Sequence, residues 1–373
     1  MVGKVGAKAA FLTLEDAVKV NFMERSEEAH GLSLAALSGH HLFFIGPPGT
    51  AKSAMVRWYT AHIDGARYFN WLLTRFSTPE ELFGPVDLQA LKNGSYRRIT
   101  LGKLPEADVA FLDETFKGNS AILNSLLSVL QERIYHNDGQ PIRCPLIFAV
   151  GASNELPEAD ESLSALYDRF LLRYNCGYIK DEGKFVELLK NAIGTPYAGK
   201  ITLAQLQEAR QEVQALPVGQ DMIQALAELR RALRSSGFVP SDRRFVQSLD
   251  VLRAEAWLRG DKQVEPDCLE VGAAIFWDKP EDARKVRGLC LQVCNPNIFR
   301  ATEMMEAAEE AAAKILAGGS TTEDAIKVSA QLKKFGIDLE ALAAGKAGRI
   351  TDMASKVRKL NKEVVHQGVG LDV

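Results

Sequence analysis

Four apolar residues, Leu42-Phe43-Phe44-Ile45, pass directly into Gly46-Pro47-Pro48-Gly49-Thr50-Ala51-Lys52-Ser53. The apolar run reads as a buried strand, the Gly/Pro-rich turn must leave it sharply, and a helix opens near Lys52. That is the context a phosphate-binding loop requires. In such a loop the backbone N–H groups curl around a β-phosphate, aided by the helix N-terminus. Lys52 reaches the β- and γ-phosphate oxygens of ATP, and the Ser53 hydroxyl ligates Mg²⁺. One position departs from the strict pattern, which has Gly before the Lys. Ala51 stands there, the least intrusive replacement but one that disfavours positive φ. Gly49 still supplies freedom within the loop.

The surrounding texture fits a parallel sheet covered by helices. Short apolar runs at 68–73, 109–112, 146–150 and 170–174 alternate with helical stretches, notably 122–130. The run at 109–112 ends in Asp113-Glu114, which places two carboxylates at the strand's C-terminal edge, where open α/β sheets bind ligands. Asp113 is the residue to hold Mg²⁺ through its water shell, and Glu114 the one to orient and deprotonate an attacking water. Asn154 follows the 146–150 run, where its amide could hold that water near the γ-phosphate. Arg169, with Arg173 four residues on, precedes the last short strand.

Outside this core, 15–37 reads as one long amphipathic helix behind a loose leader at 1–14. Residues 86–99 alternate weakly around Asn93-Gly94, a hairpin turn signal. Beyond about 181 no strand is expected. Residues 181–278 read as helices separated by Gly and Pro, and 279–373 as an alanine-richer helical tail, broken at Gly318-Gly319 and around 345–348.

Length and charge bound the function. At roughly 150 residues per domain, 373 residues suggest two or three units. A net charge of −3 and a pI near 6.1 leave no global field toward nucleic acid or an acidic membrane. The basic stretch at 346–362 reads as a solvated helix face. Five cysteines without dense spacing read as reduced thiols, and Cys290 and Cys294 lack the partners of a zinc set. No apolar run approaches the ~18 residues of a membrane span, and 9–14 is too short for a signal segment. A cytoplasmic protein is expected.

Taken together, the 46–53 loop, Asp113-Glu114, Asn154 and Asp168-Arg169-Phe170 resemble an AAA+ ATPase. Three further strings narrow it: Thr74-Arg75-Phe76-Ser77-Thr78-Pro79-Glu80-Glu81, Phe83-Gly84-Pro85, and Ala152-Ser153-Asn154-Glu155-Leu156-Pro157-Glu158-Ala159-Asp160. They resemble the MoxR subgroup, most closely its RavA branch, which shares the Ala in the loop. The resemblance covers about residues 15–278. It implies a five-stranded αβα core over 1–180, with 86–99 as a hairpin insert, and a helical lid over 181–278. The tail over 279–373 does not match RavA's own C-terminal region. Carried over by position, Asn154 is sensor 1 and Arg169 the finger that reaches a neighbouring subunit's nucleotide. Arg243, with Arg244 in reserve, falls at the sensor 2 position in Ser241-Asp242-Arg243-Arg244. The family implies homo-hexameric rings that work with a von Willebrand factor A domain protein on client complexes. Two other functions share the core. A nucleotide-gated binding module has no need of Glu114. A nucleic-acid motor sits poorly with the near-neutral charge, Arg97-Arg98 on the insert being the suggestive pair.

Overall fold

In the computed structural model the described residues are 6–157, 161–190, 199–317, 321–343 and 348–369. Two compact units divide at Arg287 and Gly288. The first begins with two helices, α1 (Ala7–Asn21) and α2 (Ser26–Ser38), where the sequence suggested one. The break falls where Glu24 takes a φ of +57°. The expected leader is helical from Ala7 because Phe11 and Leu14 are fully buried, Phe11 against the edge of Trp257.

The core follows in chain order: β1 (His41–Ile45), α3 (Lys52–Ala61), β2 (Ile63–Asp64), β3 (Tyr68–Leu72), α4 (Pro79–Phe83), α5 (Leu88–Lys92) and β4 (Val109–Asp113). Then come α6 (Ser120–Glu132), β5 (Ile134–Asn137), β6 (Gln140–Arg143), β7 (Phe148–Ser153), α7 (Glu161–Tyr167) and β8 (Phe170–Asn175). Five of these strands form one parallel sheet in the order β3-β4-β7-β1-β8. Every residue of β1 and β7 is buried, as expected of central parallel strands covered on both faces. The order sets the C-terminal ends of β4 and β1 on either side of β7.

The 86–99 segment is not a two-stranded hairpin. A single antiparallel bridge, Val86 to Arg98, closes it around α5. The Asp87 carboxylate accepts from the N–H groups of Gln89 and Ala90 and so starts a helix. Asn93-Gly94 ends that helix, with Gly94 at φ +81°, instead of turning a strand. The regular hairpin is β5–β6, whose Asp138-Gly139 turn has positive φ at both residues, the type I′ requirement. It grips the insert: Asn137 exchanges hydrogen bonds with the Arg98 backbone (2.7 and 3.0 Å), and Asp138 accepts from Tyr96 N–H (2.8 Å).

After the core, the first unit continues through α8 (Glu182–Lys190), β9 (Ile201–Thr202), α9 (Leu203–Ala215), α10 (Gln220–Ser235) and α11 (Asp242–Arg259). The strand β9, unexpected from sequence, pairs in parallel with β2 over two residues. A 3-10 segment, Pro266–Ala274, leads toward α12 (Ala283–Cys294), which spans the division between units. The second unit is otherwise built from α13 (Pro296–Leu316), α14 (Thr322–Ala343) and α15 (Arg349–Val369). Its core mixes Ala301, Ala308, Ala312, Ala325 and Ala354 with Leu332, Leu339, Val357 and Val364. Small side chains on facing helices allow short interaxial distances. The expected break at Gly318-Gly319, and residues 345–347 of the second break, lie outside the described residues, as do 158–160 of the Ala152–Asp160 string. Among the described residues no helix is long and apolar enough to cross a membrane.

Candidate nucleotide-binding site

The phosphate loop leaves β1 at Gly46, whose N–H bonds the Ser153 carbonyl of β7 (3.1 Å). A Cβ at Gly46 would lie 2.1 Å from the Cys176 carbonyl oxygen, and φ there is +149°. Only glycine fits. Thr50 Oγ1 donates to the Pro47 carbonyl (3.0 Å) and tightens the turn. Ala51 takes φ +62° and caps α3 in the left-handed region, the conformation for which its missing glycine is suited. Buried Lys52 then directs its ammonium back at the loop, donating to the carbonyls of Gly46 (2.7 Å) and Pro47 (2.9 Å). Burial lowers its pKa from the usual lysine value.

Asp113 and Glu114 arrive together at the end of β4. Burial raises the Asp113 pKa above the usual carboxylate value, and the neighbouring Glu114 charge adds to the rise. Glu114 sits at φ +49°, a left-handed conformation rare outside glycine. Two groups hold its carboxylate: Asn154 Nδ2 donates to Oε1 at 2.9 Å, and Lys117 lies 3.2 Å from Oε2. Behind them, buried Thr115 Oγ1 donates to the Leu112 carbonyl (2.7 Å) and accepts from Ala152 N–H (3.1 Å), fastening the ends of β4 and β7. Pro48, Gly49, Thr50, Ala51, Lys52, Ser53, Asp113, Glu114 and Asn154 line one cavity of about 330 Å³. Nine of the sequence-nominated positions thus meet in one place.

Not every nominated residue does. Arg169 is half-buried at the start of β8, and its Nε is buried with no hydrogen-bond partner among the described residues. Arg243, at the head of α11, pairs with Asp168 and is not among the residues lining the cavity. Arg244 is buried and shared between Asp168 (2.9 Å) and Asp278 (2.7 Å). Arg173 is fully buried over the Tyr167 ring and bonds the Trp277 carbonyl and Asp278. Its role is architectural.

Sequence reasoning missed a neighbouring wall. A second cavity of about 370 Å³ shares Gly49, Thr50 and Ala51, and is completed by Phe22, Met23, Tyr178, Ile179 and Phe185. Buried Arg25 braces both by bonding the Gly177 and Thr50 carbonyls. These contacts join residues up to 152 positions apart, which no local pattern encodes. The Lys117 contact, by contrast, is three residues from Glu114 and was open to a reader asking which cation faces that carboxylate.

Comparison with known proteins agrees with this geometry. Residues 10–217 match a family described as the MoxR domain in the MoxR-vWA-beta-propeller ternary systems, and 221–290 match an AAA lid domain. Two uncharacterized proteins of Methanocaldococcus jannaschii are 40% and 39% identical, each over 74% of this chain and over 72% and 73% of their own lengths. Among solved structures, a candidate ATPase from Cytophaga hutchinsonii superposes with a TM-score of 0.62 at 17% identity, over 78% of this chain and 95% of its own. An MCM homolog from Methanopyrus kandleri gives 0.50 at 13% identity, over 77% of this chain and 61% of its own. These two likenesses speak to fold alone: an α/β P-loop core with a helical lid. The family match spans more than half the chain, and with the loop, acidic pair and asparagine gathered at one sheet edge, the chain belongs to the MoxR family of AAA+ ATPases.

Proposed function

We propose that the chain hydrolyses ATP and uses the turnover to remodel or activate a client protein complex. The observation that carries the reading is the Asn154–Glu114 hydrogen bond beside the phosphate loop. It sets a proton acceptor and an amide donor on one side of the cavity whose other side is Lys52 and the loop N–H groups. Ser53 and Asp113 would hold Mg²⁺, which when bound neutralises charge on the β- and γ-phosphate oxygens. Glu114 accepts the proton of a water that Asn154 orients, and Lys52 turns from the Gly46 and Pro47 carbonyls to phosphate. The apolar cavity of Phe22, Met23, Tyr178 and Ile179 suits a nucleobase. No charge in this set opposes the departing γ-phosphoryl group from outside, so Arg169 of an adjacent copy supplies it within a homo-hexameric ring, with Arg243 beside it. The family's description supports a von Willebrand factor A domain protein as partner. Thiols such as Cys144, Cys176 and Cys268, buried and outside any disulfide, fit a reducing, cytoplasmic setting. Ala51 supports the RavA-like affinity.

Two substitutions separate the roles. Glu114→Gln keeps ATP binding and loses ~10²–10⁴-fold in hydrolysis rate, the range for removing a general base. Lys52→Ala loses nucleotide affinity itself. Equilibrium binding of a fluorescent ATP analogue beside steady-state phosphate release checks both. Near-normal turnover by Glu114→Gln would remove the assignment.

A further inference from the structure

The first unit holds a larger cavity, about 520 Å³, that nucleotide chemistry does not use. It opens at the opposite edge of the sheet, where β1, β4 and β7 begin. Asp108 and Ile147 immediately precede two of those strands, and α9 forms the facing wall with Gln207, Arg210 and Gln211. Two guanidiniums converge there on Gly39. Arg133 donates from Nη2 to the Gly39 carbonyl (2.8 Å) and to the Ile147 carbonyl (3.3 Å). A Cβ on Gly39 would lie 2.3 Å from Arg210 Nη2, so the second guanidinium rests over the same residue.

No carboxylate separates them among the described residues. The one acid in the lining, Asp108, is engaged by Arg67, whose Nε lies 2.9 Å away and whose backbone N–H adds a second bond. Arg143 adds a third guanidinium at the exposed rim, with no ionic partner among the described residues. Placing like charges together in a half-enclosed site is unfavourable. Burial and then the Arg210 charge push the Arg133 pKa down to about 10, and burial lowers that of Arg210. Arg133 has a structural reason to be present, since it caps strand-start carbonyls. Arg210 has none: it makes no hydrogen bond or ion pair among the described residues. Arg133 is already engaged at both ends, Nη1 by the Leu130 carbonyl and His41 Nε2, and Nη2 by the Gly39 and Ile147 carbonyls. The open guanidinium is therefore that of Arg210, and a polyvalent anion there offsets the charge of both.

The planar fork of arginine matches phosphate geometry, and the volume lies in the range of small-molecule sites rather than of a flat protein interface. The glutamine amides of α9 offer donors and acceptors for a polar body attached to that anion. We propose that this cavity binds a phosphorylated small molecule, its phosphate held by the Arg210 guanidinium beside the Arg133 charge.

The test uses the full chain carrying Lys52→Ala, so that the phosphate loop contributes little. Pyrophosphate, ribose 5-phosphate and citrate are titrated by calorimetry, with thermal unfolding in parallel. The expected result is millimolar or tighter binding of the two phosphates, with a raised unfolding midpoint and weaker binding of citrate. Adding Arg210→Gln weakens phosphate binding roughly 10- to 100-fold, the worth of a charge-assisted contact. It leaves the probe-free chain at least as stable, because a repulsion has been removed. Should Arg210→Gln fail to fold, Arg210→Lys keeps the charge and loses the fork, and a several-fold loss of affinity is expected from it. The proposal is overturned if neither phosphate binds at millimolar concentration, if citrate binds as tightly as the phosphates, or if affinity is unchanged by the Arg210 substitutions.

Discussion

Ala51 and Glu114 are the two residues of the site whose backbones sit in the left-handed region without being glycine. Such a conformation costs an L-residue roughly 1–2 kcal/mol, and strain of this kind concentrates at functional sites. At Ala51 the cost follows from the side chain alone, since a glycine would take φ +62° freely. Ala51→Gly should therefore stabilise the chain by about 0.5–1 kcal/mol, after the greater freedom of glycine in the unfolded chain is subtracted. Urea unfolding of the nucleotide-free protein measures it. A loss of stability instead would show that the methyl group packs against something that matters more than the torsion. Much at this scale was legible beforehand. Asp113 and Glu114 close an apolar run, Asn154 follows another, and Lys52 and Ser53 end the Gly/Pro-rich loop that leaves a third, so their edge positions followed from local pattern. Arg25 and Thr115 did not, because Arg25 acts on the Gly177 carbonyl and Thr115 on Ala152, neither of them sequence neighbours.

Among elements, the junction of α1, α2 and α11 is held by a charged triad. His30 of α2 lies 3.0 Å from Glu15 of α1 and 2.7 Å from Glu255 of α11. The two carboxylates outweigh burial and raise the His30 pKa from 6.5 to about 10. Because the folded-state value exceeds the unfolded one, the stabilisation is complete below about pH 6.5. It is lost progressively as pH climbs through about 10. His30→Ala should cost about 3 kcal/mol at pH 6, the lower end of the range for stranding a buried charge. It should also flatten the fall in stability between pH 6.5 and 10. Denaturant unfolding of both proteins at pH 6 and 9.5 decides this, and parallel pH profiles would exclude the triad as their cause. Periodicity could not foresee such a junction, nor that 15–37 would break. Nor could it separate Asn93-Gly94, which ends a helix, from Asp138-Gly139, which turns a hairpin. The difference lies in Asp87, whose carboxylate captures two N–H groups and commits the first segment to a helix.

For the whole molecule, the division at Arg287 and Gly288 makes truncation informative. A chain ending at Arg287 retains Asp278, which anchors Arg173 and Arg244, and the Arg287–Glu27 pair. It should fold cooperatively and bind ATP with the affinity of the full chain; an insoluble or nucleotide-blind product would count against that independence. Assembly has its own signature. If Arg169 completes a neighbour's site, Arg169→Ala binds ATP normally and hydrolyses ~10³–10⁵-fold more slowly. Mixing it with Lys52→Ala restores part of the rate, because some interfaces then pair an intact Lys52 with an intact Arg169. Specific activity should fall on dilution, and constant activity in a monomeric sample would remove the ring. Asp168, next in the chain to Arg169, is clasped by both Arg243 and Arg244 at the head of α11. Any rotation of that helix drags the Asp168 carboxylate, and the arginine beside it, along the same path. In the proposed ring, each subunit would then report the posture of its lid to the next through one hinge pin, and the order of firing around the circle would be kept by mechanical linkage rather than by diffusion of a signal.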